Sequence, residues 1–233
     1  MRKRGLILPF GRIISVARIS TGAKRNSWLM DDDDSVVFLV DDDPSFRRSC
    51  ERLLSIAGYR VESFPSAQEF LTRGPPDIPA CLVTDLRMPG MNGLDLQSEL
   101  ANAGWKIPLI FVTGHGDVRT SVRAMKAGAI EFLTKPFQER ELLTAVANAL
   151  RLDRARLHGE AERAALQERY ISLTLREREV MKHVVAGTLN KQIAAALNVG
   201  EKTVKFHRAH VMEKMMAGSL AALVKMAIDL AAK

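Results

Sequence analysis

The sequence predicts an α/β domain built on five parallel strands, followed by a smaller all-α domain. Three observations carry that prediction. Between residues 35 and 151, short apolar runs alternate five times with helical patterns, and such alternation builds a parallel sheet with helices on both faces. The strand runs are mostly continuous, as strands buried on both faces read. Beyond residue 170 no further strand pattern is read, and short helices separated by tight turns take over.

The elements follow in order. Val36–Val40 is an apolar strand that ends in Asp41-Asp42-Asp43. Asp43-Pro44 is a helix start, a capping carboxylate followed by proline in the first turn. Cys50, Leu53, Leu54 and Ala57 then recur at helical spacing until Gly58. Arg60–Phe64 is a second strand, and Ser66–Arg73 a helix halted by Gly74-Pro75-Pro76. Ala80–Thr84 is the central strand; it stops at Asp85 and passes into the turn residues Pro89, Gly90, Asn92 and Gly93. The helix Gly93–Ala103 turns Leu94, Leu96 and Leu100 inward. Strand Pro108–Val112 ends at Thr113, helix Val118–Ala127 follows, and strand Ile130–Thr134 ends at Lys135-Pro136. Helix Glu139–Leu150 completes the fifth pair. The expected topology is flavodoxin-like, with ligands at the carboxyl ends of the strands.

Charge divides the chain. Residues 1–29 carry seven Lys/Arg and no acid, residues 30–155 have a net charge of −5, and residues 156–233 one of +5. An acidic module joined to a basic one suggests cation binding in the first and nucleic-acid binding in the second. The basic segment 1–34 is expected to be a disordered or non-native extension, with Met30 standing where the compact domain would begin; a transit peptide is the alternative on composition. Cys50 and Cys81 have no metal-ligand neighbours in sequence and suit a core in a reducing cytoplasm. No apolar run reaches the roughly 18 residues of a membrane span.

Four strand ends thus deliver an acidic cluster, a lone aspartate, a hydroxyl and a lysine to one rim. Singly, each has a plainer reading: an acidic turn, a loop cap, a strand-end hydroxyl, a surface lysine. In this order and spacing they resemble the receiver domain of two-component response regulators over about half the chain. That resemblance implies Asp85 as phosphoacceptor. It implies Mg2+ held by Asp42 and Asp85, by Asp41 through water, and by the Arg87 backbone carbonyl. Lys135 and Thr113 would meet the phosphoryl oxygens, Phe132 would change rotamer with Thr113, and a cis bond before Pro136 would aim the lysine inward. A rival use of Asp41 and Asp43 is the Asp-x-Asp pair of haloacid-dehalogenase-type phosphatases. That reading leaves Asp85 without a role and lacks a later acidic pair on a strand.

Arg151–Tyr170 reads as a continuation of the last helix, a solvated helical linker over 152–170. In the segment 171–233, Thr174 and Glu177 form a capping-box pattern. A short helix at Asn190–Leu197, a turn at Asn198-Val199-Gly200 and a helix from Glu201 to Met215 make a helix-turn-helix. On the last of these, Val204, Arg208, Val211 and Met215 share a packing face, with Arg208 contributing its methylenes. Lys202, Lys205, Phe206 and Ala209 share an opposite, basic one, suited to a major groove with Phe206 toward thymine methyls. A solvated stripe is the plainer reading. The strings Asn190-Lys191-Gln192-Ile193-Ala194 and Glu201-Lys202-Thr203-Val204-Lys205-Phe206-His207-Arg208 resemble LuxR/NarL-type DNA-binding domains. Gly200 departs from the serine usual there. Met212–Leu220 and Gly114-His115-Gly116-Asp117-Val118 resemble the FixJ subgroup. The resemblance implies a sensor histidine kinase as phosphoryl donor, dimerisation on phosphorylation, binding to double-stranded promoter DNA through Lys191, Lys202, Thr203, Lys205, Phe206, Arg208 and Ala209, and action on RNA polymerase in the cytoplasm. The alternative is a phosphorylation-independent DNA-binding regulator with a vestigial receiver.

Overall fold

Strands β1 (Val36–Val40), β2 (Arg60–Phe64), β3 (Ala80–Thr84), β4 (Leu109–Thr113) and β5 (Glu131–Thr134) lie parallel in the order β2-β1-β3-β4-β5. The computed structural model describes residues 35–114 and 118–231. The expected extension at 1–34 and the His115–Asp117 part of the loop motif lie outside them. β1, β3 and β4 are buried along their whole length, which is why their sequences are unbroken apolar runs.

Alternate residues of those strands feed two cores. Val37, Leu39, Cys81, Val83, Ile110 and Val112 pack with α1 (Pro44–Ile56) and α5 (Glu139–Ile171). Val36, Phe38, Val40, Leu82 and Phe111 face α2 (Ala67–Arg73), α3 (Gly93–Asn102) and α4 (Val118–Lys126). Both cysteines are buried and unpaired, and burial pushes the Cys50 thiol up to about 12. The anticipated caps form: Asp43 Oδ1 accepts from the Ser45 N–H at 2.8 Å with Pro44 in the first turn, and Thr174 and Glu177 close their capping box.

Residues 152–170 continue the last receiver helix, as expected, but the stretch is packed at both ends and not solvated throughout. α5 runs unbroken for 33 residues, about 50 Å at 1.5 Å per residue, and both ends of its outer stretch are packed. Asp153 is 1% exposed; its Oδ2 accepts the Ala80 N–H at 2.9 Å and its Oδ1 the Arg156 Nε–H at 2.8 Å. Arg156 and Lys106 both pair with Glu160, at 2.8 and 3.0 Å. A buried carboxylate is tolerated only when donors satisfy it, and here the donors tie the helix to the start of β3. Further on, Leu166 and Tyr170 pack against the core of the C-terminal domain.

That domain comprises α6 (Leu175–Val185), α7 (Asn190–Ala196), α8 (Glu201–Lys214) and α9 (Leu220–Ala231). The last was not anticipated. Its signal is Leu223, Met226, Ala227 and Leu230 at helical spacing, all of which pack into the core of α6, α7 and α8.

Candidate functional site

Register brings the rim together. Val40 pairs with Thr84 across β1 and β3, so Asp41 and Asp85, each the next residue, leave adjacent strands side by side. The Asp85 N–H still donates to the Val40 carbonyl at 2.9 Å. Thr113 pairs with Thr134, and the Lys135 N–H donates to the Thr113 carbonyl at 2.8 Å, which directs the lysine back toward the rim. The Lys135-Pro136 bond is cis, as expected. β1 and β3 flank the point where strand order reverses, the crevice an open α/β sheet offers to ligands.

Lys135 Nζ lies 2.7 Å from Asp41 Oδ2 and 3.3 Å from Asp85 Oδ2, and 3.4 Å from the centroid of the Phe46 ring. Asp41 is 1% exposed, Asp85 half-buried and Asp42 exposed. One carboxylate oxygen from each lies within 4.8 Å of the others. Three hard oxygen donors so gathered fit Mg2+. Burial raises the Asp41 pKa, against the Lys135 hydrogen bond and the Asp43 N–H that favour its charged form. Asp85 Oδ1 accepts the Arg87 N–H at 3.1 Å, while the Arg87 side chain is exposed. Thr113 is buried at the end of β4, and the half-buried Phe132 ring stands 6.1 Å from Phe111.

Asp43 stands apart from this group. Its carboxylate caps α1, and hydrogen bonds to backbone N–H groups there hold its pKa below the ordinary value. The Asp41/Asp43 pairing of the phosphatase reading is therefore not what the rim presents. Three contributors were not anticipated. The Arg47 guanidinium donates to the Asp41 carbonyl, the Phe46 ring faces Lys135, and Gly93 packs so tightly that a Cβ would lie 2.4 Å from the Asp85 carbonyl oxygen. The first two sit on the first turn of α1, close in sequence to the acidic cluster, but the partner of Phe46 is Lys135, far along the chain, and such a pairing leaves no mark in a local pattern.

In the C-terminal domain, Val204, Val211 and Met215 are buried, whereas Lys202, Thr203, Lys205, Phe206 and Ala209 are exposed on α8, and Lys191 is exposed on α7. Arg208 is half-buried with Nη1 3.2 Å from Asn190 Oδ1, so its head group braces α7. The exposed Phe206 ring stands 4.2 Å from His210. Glu177, on α6, is buried and fixes α8 from behind: Lys214 Nζ lies 2.7 Å from its Oε2 and His210 Nδ1 3.7 Å from its Oε1. Gly200 caps α8 without a side-chain hydrogen bond.

The family profile described as "Response regulator receiver domain" matches residues 37–147, and "Bacterial regulatory proteins, luxR family" matches residues 171–227. The chain is 50% identical over 192 residues to Nodulation protein W of Bradyrhizobium diazoefficiens, which covers 82% of this chain and 85% of that protein. It is 42% identical over 201 residues to Transcriptional regulatory protein FixJ of Rhizobium meliloti, covering 84% and 96%. Among solved structures, the low-resolution structure of the response regulator StyR superposes with a TM-score of 0.79 at 45% identity, over 84% of this chain and 98% of that one. The chain therefore belongs to the two-component response regulators, with a receiver domain ahead of a LuxR-type DNA-binding domain.

Proposed function

We propose that this protein is a phosphorylation-activated transcriptional regulator whose phosphoacceptor is Asp85. The observation that carries the reading is the convergence of Asp41, Asp42, Asp85 and Lys135 at one sheet rim. Residues 35–151 form the receiver and 171–233 the DNA-binding domain, joined through 152–170. Asp41, Asp42, Asp85 and the Arg87 carbonyl would hold Mg2+, which supplies positive charge to the carboxylates and to phosphoryl oxygens. A carboxylate oxygen of Asp85 attacks phosphorus in line. The O–P bond forms as the bond from phosphorus to the histidine nitrogen of a sensor kinase breaks, and the imidazole leaves. Lys135 meets the charge on the transferred group, and the Thr113 hydroxyl donates to it. The Thr113 shift carries Phe132 with it and remodels the receiver face, promoting a homodimer.

The dimer presents α8 of two domains to a two-fold site in double-stranded promoter DNA. Lys191, Lys202, Thr203, Lys205, Phe206, Arg208 and Ala209 form the contact surface, where phosphate contacts position the helix and base contacts specify the site. RNA polymerase is the downstream partner, in the cytoplasm; no helix of the described residues is long and apolar enough to cross a membrane. The test is labelling by a small phosphodonor with magnesium, followed by DNA-binding titration. Label on the wild type, none on Asp85→Asn and tighter DNA binding after labelling are expected. Equal labelling of Asp85→Asn refutes the phosphoacceptor assignment. DNA affinity indifferent to labelling would favour a regulator with a vestigial receiver.

A further inference from the structure

Among the described residues, the Lys135 ammonium meets two carboxylates, Asp41 and Asp85, and one aromatic ring, Phe46. We infer that Phe46 is a positioning residue for phosphoryl transfer, its ring face seating the Lys135 ammonium; the inference rests on the phosphoryl-transfer reading above. Nζ stands 3.4 Å from the ring centroid while it bonds Asp41 and Asp85. A cation over an aromatic face is held by the ring's quadrupole. The ring is itself held, meeting Phe137 edge-on at 6.2 Å and 83° and packing on the core between the sheet, α1 and α5. Phe137 lies two residues beyond Lys135, so one short segment supplies both the ammonium and the buttress of its seat.

The ring differs in kind from the other two partners. Asp41 and Asp85 belong to the set that would hold a divalent cation, and hard cations take oxygen ligands. Oxygens engaged in that way are less available to the lysine. The ring is neutral and offers no oxygen, so its hold on the ammonium is unaffected. A lysine on a flexible four-carbon stem is thereby kept at the rim where phosphoryl oxygens arrive. Leucine at this position would fill most of the same space in the core and present no quadrupole, which separates packing from cation seating.

The experiment uses the full chain with Phe46→Leu and Phe46→Tyr, both checked by thermal melting. Phe46→Met is the second non-aromatic variant should leucine impair folding. In metal-free protein, the Lys135 ε-methylene resonance is assigned by its loss in Lys135→Arg. It should be shifted upfield by the ring current in wild type and Phe46→Tyr, and return to the ordinary lysine position in Phe46→Leu. With acetyl phosphate and magnesium, labelling of Asp85 should slow roughly three- to tenfold in Phe46→Leu, the size of one partly buried cation–π contact, and recover in Phe46→Tyr. An unshifted wild-type resonance overturns the inference, as does a folded Phe46→Leu labelled at the wild-type rate, or a folded Phe46→Tyr as slow as leucine. A wild type that takes no label at Asp85 overturns the phosphoryl-transfer reading and this inference with it. A labelled wild type with an unaffected Phe46→Leu overturns this inference alone.

Discussion

Gly93 shows how little room the rim leaves. A Cβ there would come within 2.4 Å of the Asp85 carbonyl oxygen and 2.8 Å of the Phe111 ring. Gly93→Ala should therefore cost about 1–3 kcal/mol of receiver stability, as overpacking a filled site does, and should displace the backbone that aims Asp85. Denaturant melts check the first effect and backbone amide shifts around Asp85 the second; an unchanged melt would refute it. Asp41 offers a second test. Burial lifts its pKa and the Lys135 ammonium restrains that rise. Lys135→Met should therefore push the carboxyl titration higher still, read from the Asp41 carboxyl carbon by NMR in metal-free protein. Asp41, Asp85 and Lys135 were all legible in the sequence, since each directly follows an apolar strand. Gly93 was legible only as a turn residue and helix start, because the atoms that exclude a side chain come from the chain just after β3 and from Phe111 on β4.

At the scale of elements, two buried carboxylates act as fasteners. Asp153 joins α5 to the start of β3, the strand that ends at Asp85. Asp153→Ala leaves the Ala80 N–H buried without its partner, a loss of about 1–3 kcal/mol. The receiver transition in chemical denaturation should move accordingly, and an unshifted midpoint would falsify the fastener role. Glu177 joins α6 to α8. Burial works to raise its pKa, but the Lys214 ammonium and the Thr174 hydrogen bonds outweigh that and hold it below the ordinary 4.5. A folded-state pKa below the unfolded one means stabilisation that is complete above about pH 4.5 and lost as pH falls through the folded value. The C-terminal domain should thus lose stability on acidification below that point, and Glu177→Gln should flatten the dependence while lowering stability at neutral pH. Melting temperature against pH, from 3 to 7, decides it. The capping box that Glu177 forms with Thr174 was visible as a four-residue pattern, whereas its pairing with Lys214, 37 positions on, was not.

At the scale of the whole molecule, α5 runs without a break from the receiver to the start of the DNA-binding domain. Its outer stretch is pinned at both ends, by Asp153 to the start of β3 and by Leu166 with Tyr170 to the core of the C-terminal domain. Ala164 is exposed between them. Ala164→Pro removes a helical hydrogen bond and costs about 3 kcal/mol locally, yet each domain keeps its own core. Both should still melt cooperatively, while NMR relaxation should report two bodies tumbling separately where the wild type tumbles more nearly as one. A variant tumbling like wild type would show that packing, not helix continuity, sets the arrangement.

The strand and helix order, the rim residues and the helix-turn-helix are local matters. They depend on hydrophobic period, turn residues and caps within a few positions of one another, so the amino-acid order by itself determined them. Tertiary structure alone decided that Asp41 turns in to meet Lys135, that Arg208 braces Asn190, and that residues 152–170 are packed at both ends. Each of those outcomes depends on which distant groups a side chain meets after folding. A single polar residue on a helix, such as Asp153, carries no periodic signal that could announce the meeting.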